Sequence, residues 1–291
     1  MASLKSVKTK ITGVKKTKQI TKAMNMVASA KLRGAQSRME RFRPYAVKFQ
    51  DILKGLAGKI EHSAHPLLEK RGAPAACGII LVTSDRGLCG GFNAGLIAAA
   101  LKTARQKQAA GMKVKFYHAG RKGRDAIKKH GFEQDAAEHF TLEPLDFQVA
   151  GQLGETVMAE YLSGALDEVL VIHAEFVSLS RQVPVLRPIL PMALPEPAHD
   201  GAKEAEEYIY EPEAAELLAA LLPRHIKVQI YRGLLDTSAC EHAARMAAMD
   251  NATRNCDEIA ASLSLLYNKT RQSAITTDLI DIVSGAEALK G

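Results

Sequence analysis

A mixed α/β fold, with a compact sheet segment carried between two long terminal helices, is the class this sequence predicts, and three observations predict it. Leu4, Val7, Ile11 and Val14 are spaced 3-4-3; after a polar stretch Ala28, Leu32, Ala35, Met39, Phe42, Ala46, Phe49, Leu53, Leu56 and Ile60 keep the same alternation. Near the other end Met249, Ala252, Cys256, Ile259, Leu263 and Leu266 repeat it. Between these stretches, short apolar runs alternate with amphipathic ones, as strands alternate with covering helices. A 3.5-residue period lets a helix hold one narrow seam against a partner along its length. Two such helices from opposite ends of one chain most simply wind round each other.

The first helix is expected from about Leu4 to Ile60, with a bend or local distortion at Pro44, where a backbone donor is missing and the ring clashes with the previous turn. His65 to Ala76, with Pro66, Gly72 and Pro74, reads as a connector. Cys77 to Ser84 holds the apolar run of a buried strand. A glycine turn, Asp85 to Asn93, leads into a helix ending near Ala110. Val114 to His118 is a second strand, Arg124 to His130 a short helix, Pro144 to Ser163 an amphipathic helix and Glu168 to Val177 a further strand. Pro184 and Pro188 assign Val183 to Leu190 to a sheet edge, where a missing donor is tolerated. The alternation implies a mostly parallel sheet of Rossmann-like topology. Pro191 to Gly201 is loop-like, and from about Pro212 the chain is helical to Ala288, with Pro223 a candidate dividing point. The resulting bounds are 1–62, 75–192 and 208–288, the first and last pairing as one coiled coil.

Charge is unevenly placed. Residues 1–43 contain twelve Lys or Arg against Glu40 alone, so +11 of a net charge of +7 lies there and the remainder carries −4. A basic arm implies a polyanionic partner or a solvated helix face. Nucleic acid is one candidate and an acidic protein surface another; neither stacking aromatics nor a reading helix occurs before Phe42. Only 5% of the residues are aromatic and tryptophan is absent, the composition of long helices with thin cores. No stretch approaches the roughly 20 apolar residues of a membrane span. The Lys/Arg-rich, acid-poor beginning could mimic a transit peptide, but its heptads continue past Pro44, which assigns it to the folded structure.

No catalytic, cofactor or metal constellation emerges. Gly87, Gly90, Gly91 and Gly95 match neither dinucleotide nor P-loop spacing, and they read as a tight strand-to-helix crossover. Cys77, Cys89, Cys240 and Cys256 lack metal-ligand spacing, and Cys256 reads as a small apolar filler on the seam. Glu241-His242 and His62/His65 are isolated, and Ser178 and Ser180 lack a nucleophile turn. From Tyr267 to Asp278 the seam turns polar, at Thr270, Ser273 and Thr277, so that the helix leaves its partner there and frees Arg271 and Gln272 for another protein. An ordinary fraying helix end is the alternative.

Five motifs in order carry a resemblance: Thr17 to Ala28, Ser84-Asp85-Arg86-Gly87-Leu88-Cys89-Gly90-Gly91-Phe92-Asn93, Ala247 to Thr253, Tyr267 to Thr276, and Ile282-Val283-Ser284-Gly285-Ala286. Together they resemble the γ subunit family of rotary F-type ATP synthases, over essentially the whole length. The resemblance implies an antiparallel coiled coil standing inside a ring of three α and three β subunits, and a central Rossmann-like α/β domain that meets ε and the ring of c subunits. It implies a rotating shaft that couples c-ring rotation to ATP synthesis and its reverse, regulates hydrolysis and proton flow, and has no catalytic site, cofactor or metal of its own.

By motif, Lys18, Lys22 and Met24 fall where the family's shaft meets the acidic lever of β, and Arg271 and Gln272 match the pair engaging the β catch loop. Thr276 and Asp278 lie nearby, and Arg245 faces the opposite helix or β. The apolar stretch from Ile280 to Leu289, with Ile282 and Val283, would turn in a sleeve made by α and β. The chloroplast form's closely spaced cysteine pair is absent. No mitochondrial presequence precedes the starting motif, which favours a bacterial protein on the cytoplasmic face of the plasma membrane. Two rivals make other predictions: a basic coiled-coil nucleic-acid binder would show salt-sensitive DNA affinity, and a Rossmann-like oxidoreductase saturable dinucleotide binding.

Overall fold

The computed structural model describes residues 3–57, 65–69, 71–135, 140–141, 145–192 and 214–289. The expected seam position Ile60, the isolated His62, the expected helix starts at Pro144 and Pro212, and the loop beyond Met192 lie outside these residues. In chain order the elements are α1 (Leu4–Ala57), β1 (Ala76–Val82), α2 (Phe92–Ala109), β2 (Lys113–Ala119), α3 (Arg121–Lys129), β3 (Glu133–Gln134), α4 (Phe147–Leu162), β4 (Glu168–Phe176), β5 (Gln182–Leu190) and α5 (Ala214–Ala288). They divide into two compact units, one of Met1–Ser29 with Arg245–Gly291 and one of Ala30–Ala244.

The larger unit holds a five-stranded sheet ordered β3-β2-β1-β4-β5, parallel except for β5. Alternation along β1 sends Ile80 and Val82 to one face and Cys77, Ile79 and Leu81 to the other. On the first face they meet Leu153, Val157 and Tyr161 of α4, Phe49, Leu53 and Leu56 of α1, and Leu222, Ile226 and Ile230 of α5. On the second they meet Leu96, Ala100 and Ala104 of α2 and Ile127 of α3. With both faces covered, the strands read as continuous apolar runs, as the sequence indicated.

β5 forms the antiparallel edge, with Pro184 opposite Ala174 and Pro188 opposite Leu170. Pro223 does not divide α5, which is helical from Ala214 to Ala288. Its neighbours Leu222 and Ile226 are fully buried against the sheet, and that packing offsets a proline cost of about 3 kcal/mol. α1 is likewise assigned as helix straight through Pro44.

α3 begins at Arg121 rather than near Arg124. Gly120, at φ +103°, makes the turn, and a Cβ there would lie 1.9 Å from the Thr83 carbonyl oxygen. The Thr83 hydroxyl then accepts the Gly123 amide at 2.8 Å. A cap supplied by a residue 40 positions away leaves no local signal. The two-residue β3 is too short for any periodic one.

In the smaller unit, buried and half-buried positions of α1 continue the heptad through Leu4, Val7, Ile11, Val14, Lys18, Thr21, Asn25 and Ala28. On α5 the seam runs through Met249, Thr253, Cys256, Ala260, Leu263, Tyr267, Thr270 and Ala274. This corrects part of the sequence reading, because Ile259 and Leu266 are 48% and 45% exposed and Ser273 and Thr277 face outward. Met249, Cys256, Leu263 and Thr270 stand where the repeat predicts, whereas the seam takes Ala260, Tyr267 and Ala274 one position beyond Ile259, Leu266 and Ser273.

A candidate partner-binding face

The polar stretch of α1, which interrupts the apolar repeat, turns out to keep the heptad with polar side chains. Thr21 and Thr253 hydroxyls meet at 2.8 Å, the Asn25 side-chain amide donates to the Met246 carbonyl at 2.9 Å, and Lys18 pairs with Asp257. Residue numbers rise on α1 as they fall on α5, so the helices run antiparallel in this unit. Within the larger unit Phe42 and Tyr231 pack edge-to-face, Phe49 stacks on His225, and Arg224 donates to the Tyr45 hydroxyl, again in antiparallel order. Thr21, Asn25, Thr253 and Asp257 were not singled out as candidates. Counting heptads on through residues 15–27 instead of stopping at the last apolar position would have found the first two.

Each hydroxyl of the Thr21–Thr253 pair has a second acceptor on its own helix: the Lys18 carbonyl for Thr21 and the Met249 carbonyl for Thr253. The seam is therefore polar without stranding a hydrogen-bonding group.

The sequence-assigned contact residues fall into two sets on the two helices. On α1, Lys18 is partly drawn into the seam by Asp257, Lys22 is exposed and Met24 is half-buried. On α5, Arg245 is half-buried, whereas Arg271, Gln272, Thr276 and Asp278 are exposed. The Thr276 hydroxyl bonds back to the Gln272 carbonyl at 2.9 Å. Beyond Ala274 every described residue to Leu289 is exposed, including Ile282 at 68% and Val283 at 57%. Leu279, Ile280, Ile282 and Val283 cover more than one side of a helix, too many apolar side chains in water for an end that nothing contacts.

The glycine turn is stapled to itself. The Asn93 side chain accepts from the Ser84 backbone amide at 3.1 Å and donates to Ser84 Oγ at 2.7 Å, while Leu88 and Gly90 adopt positive φ angles of 63° and 58°. Its polar groups are spent on holding the crossover, which accords with the crossover reading. Burial pushes the Cys77 thiol up to about 12 and raises that of Cys240, so both are protonated and poorly nucleophilic at neutral pH. Among the described residues no group of three or more His, Cys, Asp or Glu is placed to hold a metal ion, and no helix is long and apolar enough to cross a membrane.

The fold recurs in solved ATP synthases. A chain of the Euglena gracilis mitochondrial ATP synthase, solved as an OSCP/F1/c-ring assembly, aligns at TM-score 0.64 and 20% identity over 98% of this chain and 94% of that one. A chain of the Tetrahymena thermophila mitochondrial ATP synthase central stalk and c-ring aligns at TM-score 0.56 and 22% identity, over 80% and 99%. Sequence goes further. The family model described as ATP synthase matches residues 3–289. The ATP synthase gamma chain of Nitratidesulfovibrio vulgaris Hildenborough is 63% identical over the full length of both chains, and that of Maridesulfovibrio salexigens 58%. The chain belongs to the ATP synthase gamma chain family.

Proposed function

We propose that this chain is the central rotor shaft of a bacterial F-type ATP synthase, coupling c-ring rotation to ATP synthesis, and to hydrolysis in reverse, at the three β-subunit sites of an α3β3 ring. The observation that carries this reading is the full-length 63% identity to an ATP synthase gamma chain. In support, the basic Lys18 and Lys22 and the exposed Arg271 and Gln272 suit acidic and polar β segments, and the exposed apolar end at Ile282 and Val283 suits a surrounding sleeve. In each unit α1 and α5 pair as antiparallel helices. The sheet domain, 75–192, meets ε and the c-ring.

The mechanism needs no bond chemistry in this chain. One rod with different side chains on each face meets three chemically identical β subunits, so each β site is held in a different conformation. Rotation changes which face each site meets, and each population shifts with it. The basic arm adds attraction to β without fixing one orientation, because exposed charge pairs are weak and easily exchanged. The chain has no catalytic site of its own and acts at the cytoplasmic face of the plasma membrane, peripheral to the membrane sector.

The test is a reconstituted complex carrying Arg271→Ala and Gln272→Ala together. Rotation torque or ATP-driven coupling is expected to fall several-fold while the complex still assembles. Unchanged coupling in an assembled double variant would remove these residues from the β contact.

A further inference from the structure

The seam of the smaller unit gives one of its positions to a cation. Lys18 stands between Val14 and Thr21 in the α1 repeat, and its ammonium meets the Asp257 carboxylate of α5 at 2.5 Å. The stem is drawn toward the partner helix while the charged head stays at the rim, and the two side chains keep 40% and 55% of their surface in water. Among the described residues, Lys18 is the one of the seven lysines from Lys5 to Lys22 that has an ion-pair partner. On α5 the neighbouring carboxylate, Asp250, is engaged by Arg254 of its own helix at 2.6 Å. Asp257 has no such cation on α5 among the described residues, so its charge is directed across the seam.

Lys18 is also one of the side chains that the rotor reading sets against an acidic segment of β. A carboxylate arriving there finds Asp257 already in place. The ammonium has two donors beyond the one that Asp257 takes, but a second carboxylate brought to the same head meets the charge of the first and is repelled. An exposed pair is weak and screened by salt, so it exchanges rather than blocks. Lys22, one helical turn further on, is exposed and carries no such competitor among the described residues.

We propose that Asp257 is a positioning residue for the shaft: it holds Lys18 along the seam and competes for it with the carboxylates of the acidic β segment, so that docking at this point is weak enough to be released at each of the three β subunits in a turn. The inference rests on the rotor reading and deepens it. The strength of a contact made by α1 is thereby set from α5, by a residue that no motif assigns.

The test is ATP-driven single-molecule rotation of the reconstituted complex at low ionic strength. Asp257→Asn keeps the shape and removes the charge, and it is expected to lengthen the longest dwell of each step by about two- to fivefold, the range of one exposed ion pair. Added salt should shrink that increase. Lys18→Gln is expected to shorten the dwell, Asp257→Glu to preserve the unsubstituted one, and Asp257→Asn to change little when Lys18→Gln is already present. Thermal unfolding of the free chain should move by less than about 4 °C in each variant, which separates competition from loss of the helix pair. An unchanged dwell in Asp257→Asn, with Lys18→Gln still shortening it, overturns the competition and leaves the rotor reading standing. So does a lengthening that is equal with and without Lys18, or one that salt does not reduce. An assembled Lys18→Gln complex with the unsubstituted dwell would instead remove the β contact at Lys18, and the inference with it.

Discussion

The two units use the same two helices in opposite ways. In the larger, α1 and α5 lay Leu53, Leu56, Leu222 and Ile230 onto a sheet and bury them completely. In the smaller, they have only each other, and the seam between them mixes apolar residues such as Val7, Met249 and Leu263 with the polar Thr21, Asn25 and Thr253. Burial of a Leu or Ile side chain is worth about 1.5–3 kcal/mol, and an exposed ion pair under about 1. The folding free energy therefore resides in the sheet unit, while the paired helices of the other unit present most of their surface for something else to cover.

The sharpest way to break that contrast is to truncate one apolar side chain in each unit. Leu53→Ala, at 1% exposure, should cost 2–5 kcal/mol, whereas Ile282→Ala, at 68%, should stay within about 0.5. Denaturant unfolding of the unassembled chain reads both, and equal losses would mean that the exposed end is packed in solution.

Next in size is a pH effect confined to the sheet unit. Folding raises the Asp236 carboxyl from 3.8 to about 6 through burial. The protonated form is thus the one that folding favours: its contribution is complete below about 3.8 and is lost as pH rises through about 6. Asp236→Asn should accordingly stabilise the chain at pH 8 by about 1–3 kcal/mol, by about half as much at pH 5, and by little at pH 4. A gain independent of pH would point to packing rather than charge.

The smallest effect belongs to the polar seam. Replacing both Thr21 and Thr253 by Val keeps shape and removes both hydroxyls, so stability should change by less than about 1 kcal/mol. A double-mutant cycle measures their coupling, and a coupling above about 2 would promote this pair from a tolerated contact to a structural anchor.

How much could be read in advance follows the same division. The covered sheet announced itself in continuous apolar runs at β1 and β4, and the two prolines of β5 placed it at an edge. The start of α3 did not, since its cap comes from Thr83 across the sheet. The seam of α5 was legible at Met249, Cys256 and Leu263, but Ile259 and Leu266 drew attention by their apolar character while the seam takes the next residue in each case, Ala260 and Tyr267. Arg271 and Gln272 stand out where the seam turns polar, whereas the assignment of Met24, Arg245, Thr276 and Asp278 to a partner surface rests on motif, because such side chains carry no pattern of their own.

The spare acceptors behind Thr21 and Thr253 bear on how such a pair of helices yields under torque. When one helix of the pair slides past the other, each threonine hydroxyl can fall back on a carbonyl in its own backbone, so that layer strands no hydrogen-bonding group. A leucine zipper would instead have to lift every knob out of its hole. On either side of that layer a slide would separate Asn25 from Met246 and Lys18 from Asp257, so the register of the pair is held by those two contacts and not by the threonines.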